Sequence, residues 1–212
     1  MTWHNYLIFL PIALLSICSP GPATLLAISN SMKYGVKRVN YSTLGNIAGQ
    51  LIIATLSVCG ASALLHTSEV LFNALKILGA IYLIYLGIKQ WRSPAFALPI
   101  DADNSHAPRT SNTSIAINGF TLALSNPKDI FFFSALLPQF INPQQPLLAQ
   151  STILIGSFLF FSYLSLMTWA YLAKRSQSWL SDNQRMAWFN KSVGLVFIAL
   201  GLNLLRSKRS MV

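Results

Sequence analysis

The sequence predicts an all-α integral membrane protein with about six transmembrane helices, arranged as two inverted three-helix repeats whose helices 1 and 4 are broken. Its composition, the length of its apolar stretches and the position of its prolines predict this fold. Of the 212 residues, 53% are hydrophobic and 9% are charged, whereas a soluble domain carries about 25% charged residues. Too little polar surface remains to cover a soluble protein of this size, so the lipid bilayer is its expected surroundings.

Six stretches reach about the 20 mainly apolar residues that a helix needs to cross a hydrocarbon core of roughly 30 Å. They are residues 6–32, 41–65, 70–91, 115–141, 147–172 and 188–205. Residues 93–114 are rich in Pro, Asp, Ser and Asn, which predicts a polar linker on the cytoplasmic side. The linker separates a first repeat, residues 1–92, from a second, residues 115–212.

The basic residues, which give the chain a net charge of +10, indicate its orientation. Most lie at the ends of apolar stretches rather than on a face shared with aromatic residues, so nucleic acid is not predicted as a partner. One side carries Lys33, Lys37, Arg38, Lys89, Arg92, Arg109, Lys174, Arg175, Arg185 and Lys191. The positive-inside rule makes that side cytoplasmic and the N-terminus periplasmic. Basic residues at the C-terminus violate the rule, which leaves open that the last stretch does not cross.

Two matches between the halves predict the repeat. The third and sixth stretches share a Lys-x-x-Gly pattern and a later glycine, formed by Lys76, Gly79 and Gly87 and by Lys191, Gly194 and Gly201. The first and fourth stretches each have a proline motif near the middle. Because each repeat crosses an odd number of times, the second begins on the opposite face. Transporters built in this way bind substrate near the midplane, at broken helices; chance recurrence of glycines and kinks is the alternative.

The proline motifs are Ser19-Pro20-Gly21-Pro22 in the first stretch and Asn126-Pro127-Lys128 in the fourth. Proline removes a backbone donor and clashes with the carbonyl four residues earlier, so these prolines free the carbonyls of Ser16, Cys18 and Ala123. Ser and Asn are good N-caps, and proline suits the first helical position. A new helix is therefore predicted to start after Ser19 and after Asn126, with its N-terminal amides suited to a carboxylate.

Lys128 and Asp129 lie in the middle of the fourth stretch, where an ionised side chain costs about 2.5–3.5 kcal/mol on insertion scales. Asp129 is favoured near a helix N-terminus, whereas Lys128 is disfavoured there and needs a negative partner. We predict that Lys128 contacts an anionic substrate group and that Asp129 carries a proton. The alternative is an ion pair that only fixes helix packing.

Four residues of the second stretch form two further patterns. Gly45 and Gly49 are spaced as in small-x-x-x-small motifs, which predicts close packing of two helices. Asn46 and Gln50 share one helical face, and their amides either line the same cavity as the charged pair or have no such role.

No pattern for catalysis or metal binding stands out in the sequence. The histidines, His4, His66 and His106, lie at termini or in connections, and the few acids are Glu69, Asp101, Asp103, Asp129 and Asp182. A nucleophile with a base, or a ligand cluster, would be needed for an enzyme. We therefore predict no enzymatic activity, no metal and no cofactor.

On these residues the sequence resembles the lysine exporter (LysE) family, including its homoserine/threonine efflux branch. The similarity covers nearly the whole chain and is most specific at the SPGP motif of residues 19–22, at Gly45-x-x-x-Gly49, and in the run GFTLALSNPKDIFFF of residues 119–133, followed by LPQF at 137–140. The sequence departs from the family pattern in two places. Ala23 follows the first motif, where members often carry a polar residue, and residues 123–125 precede the second motif, where members often carry another Asn.

The resemblance implies export of amino acids or related small metabolites across a bacterial inner membrane, driven by the proton gradient. A small-molecule substrate and the lipid bilayer are the expected partners, and a homo-oligomer is left open. The two departures favour a more apolar substrate. A passive channel or an ion transporter of the same architecture is the alternative.

Overall fold

The structure, a computed structural model, describes residues 3–65, 69–92, 110–142, 144–175 and 183–206. Within these residues every regular element is a helix, which confirms the all-α prediction. The helices are α1 (Trp3–Cys18), α2 (Pro22–Tyr34), α3 (Val36–Leu65), α4 (Glu69–Trp91), α5 (Asn112–Ser125), α6 (Pro127–Phe131), α7 (Leu147–Arg175) and α8 (Asn183–Arg206). Helix α6 continues into a π-helical turn, Phe132–Leu136, and a 3-10 turn, Leu137–Phe140.

Helices cover all six predicted stretches within the described residues. By length and apolarity, Val36–Gly60 and Leu147–Arg175 are long enough to cross a membrane, and a third crossing is added if the bent pair Asn5–Cys18 and Pro22–Tyr34 forms one span. Most of the predicted linker, residues 93–109, lies outside the described residues, and its last residues lead into α5, whose N-cap is Ser111.

The described surface carries large apolar side chains on several helices, as expected for a protein with lipid around it. Leu56 on α3 is 67% exposed and Phe160 on α7 is 59% exposed. Others of the same kind are Leu44, Ile81, Ile117, Tyr171 and Leu195. Exposing this apolar surface to water would cost free energy, so the structure agrees with a membrane protein that has several apolar helices.

Helices α3 and α5 approach each other at glycines. A Cβ atom added to Gly45 would lie 2.0 Å from the carbonyl oxygen of Ala116, and one added to Gly119 would lie 1.9 Å from that of Ser42. At Gly49 the added atom would lie 2.7 Å from the Cβ of Ala123. The backbones are therefore in direct contact, which positions α3 against the break that follows α5.

Substituting Gly45 by alanine is expected to destabilise the protein by about 1–3 kcal/mol, because the new methyl group meets backbone that cannot rotate away. Gly60 on the same helix is the control, since a Cβ there meets nothing within 4 Å, and alanine favours a helix by about 1 kcal/mol over glycine. Thermal unfolding of the purified protein in detergent measures both. Equal melting temperatures for the two variants would contradict this account of the α3–α5 contact.

An aromatic cluster surrounds the π-helical turn. Phe132 and Phe133 are buried against Phe158 of α7, and their ring centroids lie 4.6 and 4.7 Å from the centroid of Phe158. The ring centroid of Phe9 on α1 lies 6.2 Å from that of Phe132. The hydroxyl of Ser57 donates a hydrogen bond to the carbonyl of Phe133. The turn is thus held between α1, α3 and α7, which fixes the position of α6 directly before it.

Candidate functional site

The first break separates α1 from α2, whose axes are bent by 48°. Helix α2 begins with Pro22 at its first position, and its N-cap is Gly21, with φ −153° and ψ −173°. The prediction that Ser19 caps the new helix is therefore wrong. Proline disfavours the helical conformation of the residue before it, so Pro22 keeps Gly21 extended and delays the start of α2.

Lys128 lies at the first break, although it belongs to α6. Its Nζ donates hydrogen bonds to the carbonyl oxygens of Ser16, at 2.8 Å, and Ser19, at 3.0 Å. Pro20 lacks the N–H that would otherwise bond to Ser16, which is why that carbonyl is free. The ammonium thus occupies the negative end of α1, where a cation is favoured. We call this contact the Lys128 cap.

Gly21 leaves room for the cap. A Cβ atom added at this position would lie 3.3 Å from Lys128 Nζ and 3.6 Å from its Cε. A side chain there would crowd the ammonium group of Lys128. The lack of a side chain at Gly21 therefore allows α6 to pack closely against the end of α1.

The second break separates α5 from α6 at Asn126. The side chain of Asn126 caps α6, since its Oδ1 accepts a bond from the backbone N–H of Lys128 at 3.2 Å, and Pro127 takes the first helical position. The carbonyl of Ala123, which Pro127 leaves free, accepts the backbone N–H of Asn126 at 3.1 Å. The helix restarts here where the sequence predicted.

Asp129 is buried beside this break, with 3% of its surface exposed. Its Oδ2 accepts hydrogen bonds from Nε2 of Gln50, at 3.1 Å, and from Nδ2 of Asn126, at 2.8 Å. Two neutral amides therefore bind the carboxylate, whereas backbone carbonyls bind the neighbouring ammonium. The first-turn position of Asp129 also suits a negative charge.

Asn46 lies one helical turn before Gln50 on α3 and is 2% exposed. Among the described residues its Nδ2 and Oδ1 have no hydrogen-bond partner, and neither has Oε1 of Gln50. Buried amides are nearly always hydrogen-bonded, so three unpartnered amide atoms on one face of α3, one of them on the residue that binds Asp129, require an explanation.

A short chain of polar side chains extends from the first break. The hydroxyl of Ser19 lies 3.5 Å from Oε1 of Gln90 on α4, and Nε2 of Gln90 donates to Oδ1 of Asn190 on α8 at 2.8 Å. Neither amide was predicted from the sequence to belong to the site. Both lie near the ends of their apolar stretches, where a polar residue gives no distinct signal.

A narrow crevice lies on the α4 and α8 side of α6. No point in it is wide enough for a water molecule. Its walls are mostly apolar, with Lys128, Ser16 and Tyr82 as polar members, and are formed further by Ile12, Leu83, Leu86, Phe132, Leu136 and Phe197. We call this conformation, in which the crevice is too narrow for a substrate, closed.

The structure brings most of the predicted site residues together around α6. The first motif, Ser19 to Pro22, meets Lys128, while Gln50 and Asn126 meet Asp129. Pro20 lies between the helices and Pro127 begins α6. The carbonyl groups that bind Lys128 were predicted to be free, but their partner was not predicted.

The chain is similar to known bacterial membrane proteins. The profile of the LysE type translocator family matches residues 14–208. A homoserine/homoserine lactone efflux protein of Salmonella typhi is 36% identical over 200 residues, covering 94% of this chain and 93% of the relative. A leucine efflux protein of Klebsiella pneumoniae is 30% identical over 207 residues, covering 94% of each chain.

A further relative carries no assigned activity. An uncharacterized membrane protein of Vibrio cholerae is 29% identical over 214 residues, covering 98% of this chain and 100% of the relative. No solved structure matches the chain.

Proposed function

Because the chain belongs to the LysE type translocator family, we propose that it is a secondary active transporter that exports amino acids or related small metabolites from the bacterial cytoplasm by proton antiport. The observation that carries the proposal is the buried carboxylate of Asp129, held by two neutral amides where a helix is broken. An acid inside a membrane is costly and marks a functional site by default. Transport by this site requires no catalytic group, metal or cofactor.

Asp129 is the proposed proton carrier. In the charged form its Oδ2 accepts bonds from Gln50 and Asn126. Protonation turns the carboxyl group into a donor and weakens these charge-assisted bonds. Since Gln50 belongs to the first half of the chain and Asp129 to the second, protonation alters a contact between the halves. Alternating access requires a coupling of this kind.

Lys128 is proposed to contact the anionic group of the substrate in an open conformation. In the closed conformation its ammonium caps α1 through the carbonyls of Ser16 and Ser19. A substrate carboxylate would take the place of one of these carbonyls when the halves separate. The two proline motifs, Ser19-Pro20-Gly21-Pro22 and Asn126-Pro127, supply the broken helices around which this exchange takes place.

Two inverted repeats of three helices, with six crossings, are the proposed architecture. The α4–α8 contact supports it, because Gly87 approaches the carbonyl of Gly194, and Gly201 approaches that of Ala80, with added Cβ atoms at 2.6 and 2.8 Å. In the repeat pattern Gly87 corresponds to Gly201, and Gly194 corresponds to Gly79, the neighbour of Ala80. Paired contacts of this kind are expected if a two-fold axis exchanges the halves, which is why they support the proposed repeat.

The proposed location is the bacterial inner membrane, with a periplasmic N-terminus and a cytoplasmic linker at residues 93–114. The distribution of Lys and Arg supports this orientation. In it, residues 1–92 and 115–212 form the two repeats, and the closed crevice lies between helices of both.

The substrate is proposed to be a neutral amino acid. The names of the relatives given above include homoserine, its lactone and leucine, which have uncharged side chains. The mostly apolar walls of the crevice support this class, because a charged side chain would be costly to bury there without a partner.

Transport in proteoliposomes tests the proposal. We expect vesicles with the full-length protein and an acidic lumen to accumulate labelled leucine or homoserine at least tenfold above the outside concentration, and a protonophore to abolish the accumulation. Vesicles without protein are the control. Equilibration without accumulation would identify a passive channel, and no pH-driven movement of either amino acid would reject the antiporter.

A further inference from the structure

Two buried side chains on α3 carry unpartnered amide atoms, and one of the two, Gln50, contacts the proposed proton site. Asn46 offers an unpartnered donor, Nδ2, and an unpartnered acceptor, Oδ1, while Gln50 offers the acceptor Oε1. Both side chains are at least 97% buried. Because residues four apart lie on one helical face, Asn46 extends the site that Gln50 and Asp129 form.

These atoms do not stabilise the protein as they stand. A buried polar group without a hydrogen bond costs free energy, and the cost is greater where water is excluded. Gln150, a buried amide elsewhere in the protein, is by contrast bonded to Asn142 through both atoms of its side-chain amide. A ligand that bonds to the amides of Asn46 and Gln50 would offset the cost.

The unpartnered atoms define the chemistry of that ligand. Two amide oxygens and an adjacent carboxylate accept hydrogen bonds, and match a primary ammonium group with its three donors. The remaining donor, Nδ2 of Asn46, matches one carbonyl oxygen. An acid, an ester, a lactone or an amide supplies such an oxygen equally well.

We infer that Asn46, Gln50 and Asp129 bind the α-ammonium group of the substrate, and that a free carboxylate is not required for binding. This inference rests on the proposed function and specifies the part of the substrate that is recognised. The contact of Lys128 with a carboxylate then adds affinity but does not decide which molecules bind.

Such a site would couple transport to protons directly. An ammonium group binds the charged carboxylate of Asp129, and a proton on that carboxylate excludes it, so the two occupants alternate. The group that binds Asp129 from α3 is the neutral amide of Gln50, and the titratable neighbours of Asp129 are Lys128 on α6 and Tyr82 on α4. Substrate binding should therefore weaken as the carboxylate becomes protonated.

Displacement of labelled leucine from the purified full-length protein in nanodiscs tests the inference without a pH gradient. We expect leucinamide, which keeps the ammonium but lacks the carboxylate, to bind within tenfold of leucine. N-acetylleucine, which keeps the carboxylate but lacks the ammonium, should bind at least 100-fold more weakly, since bonds to charged groups are the strong ones. Binding of N-acetylleucine as tight as that of leucine would overturn the inference.

A pair of variants on α3 separates ligand binding from folding. Asn46→Leu should weaken leucine binding at least tenfold without lowering the melting temperature, because the protein loses no hydrogen bond. Asn40→Leu is the matched control, since Oδ1 of Asn40 accepts a bond from the hydroxyl of Tyr163 at 2.8 Å. It should lower the melting temperature and leave the preference for leucinamide over N-acetylleucine unchanged.

The outcomes distinguish the inference from the proposed function. Unchanged leucine binding in Asn46→Leu, with uphill transport intact in the unsubstituted protein, would reject the inference alone. Failure of the unsubstituted protein to bind or carry either leucine or homoserine would overturn both.

Discussion

The Asp129→Asn variant is expected to lose proton-driven accumulation of substrate, with the initial rate of pH-driven uptake at least 100-fold lower and a residual downhill flux that no longer depends on pH. Asparagine has nearly the same shape but carries neither a charge nor a titratable proton. The amides of Gln50 and Asn126, which both donate to the carboxylate, would face a weaker, neutral acceptor. A loss of 100-fold corresponds to about 2.7 kcal/mol, within the range for bonds to a charged group.

Accumulation of labelled leucine or homoserine in vesicles with an acidic lumen measures this effect, after the amount of folded protein has been matched. Asp101→Asn is the control, because Asp101 belongs to the predicted linker, outside the apolar stretches. Full proton-driven transport in the Asp129 variant would reject the role of Asp129 as the proton carrier and leave an ion-pair or packing role in its place.

The position of Asp129 could be read from the sequence because local rules decide it. Asn126 and Pro127 form a cap and a first helical position, so α6 had to restart there, and Asp129 had to fall in its first turn. The start of α2 was misjudged although its rule is also local. Ser19-Pro20 and Gly21-Pro22 both resemble a cap followed by proline, and the restriction that Pro22 places on Gly21 decides between them.

The partners of the charged pair could not be read in this way. Local rules make Lys128 unfavourable at the N-terminus of α6, yet its ammonium is bound by carbonyls that precede it by 109 and 112 residues. The residues of α5 that pack on α3 could not be read from the sequence either. The motif at Gly45 and Gly49 predicted a close contact, but only the structure identifies Gly119 and Ala116 on the opposing helix.

The contact of Gln50 with Asp129 also joins residues far apart in the sequence, so local rules do not predict it. The sequence placed Asn46 and Gln50 on one face but left open whether that face met the charged pair. The glycines beside them resolve the question, because Gly49 brings α3 against Ala123 at the end of α5, directly before the break. The close packing at the glycines of α3 thus allows the side chain of Gln50 to reach Asp129 on α6.

The second large effect is expected at the Lys128 cap. Substituting Lys128 by methionine keeps an unbranched side chain, one atom shorter than that of lysine, but removes both bonds to α1. The carbonyls of Ser16 and Ser19 would lose their partner, and an unsatisfied buried group costs about 1–3 kcal/mol. We expect a loss of about 2–5 kcal/mol in the free energy of unfolding, a large part of the stability of a protein, and a strong loss of transport.

Thermal unfolding in detergent measures this loss. Lys89→Met is the matched control, because Lys89 is exposed near the end of α4 and its ammonium lies 6.0 Å from the ring of Tyr85. An exposed contact of this kind contributes about 0.5–1 kcal/mol. A Lys128→Met variant as stable as Lys89→Met would show that the end of α1 does not depend on the cap.

Combining the two large changes separates the cap from the charge of Asp129. If Lys128 acts only on the carbonyls of α1, the double variant Lys128→Met with Asp129→Asn should be destabilised by the sum of the single effects. If the ammonium also offsets the buried carboxylate, the double variant should be more stable than that sum, because removing one charge of a pair leaves the other uncompensated. Helix α6 carries both charges on adjacent residues, and they interact electrostatically although they bind different partners, which favours a measurable coupling energy. Proton release from Asp129 would then stabilise the ammonium of the cap.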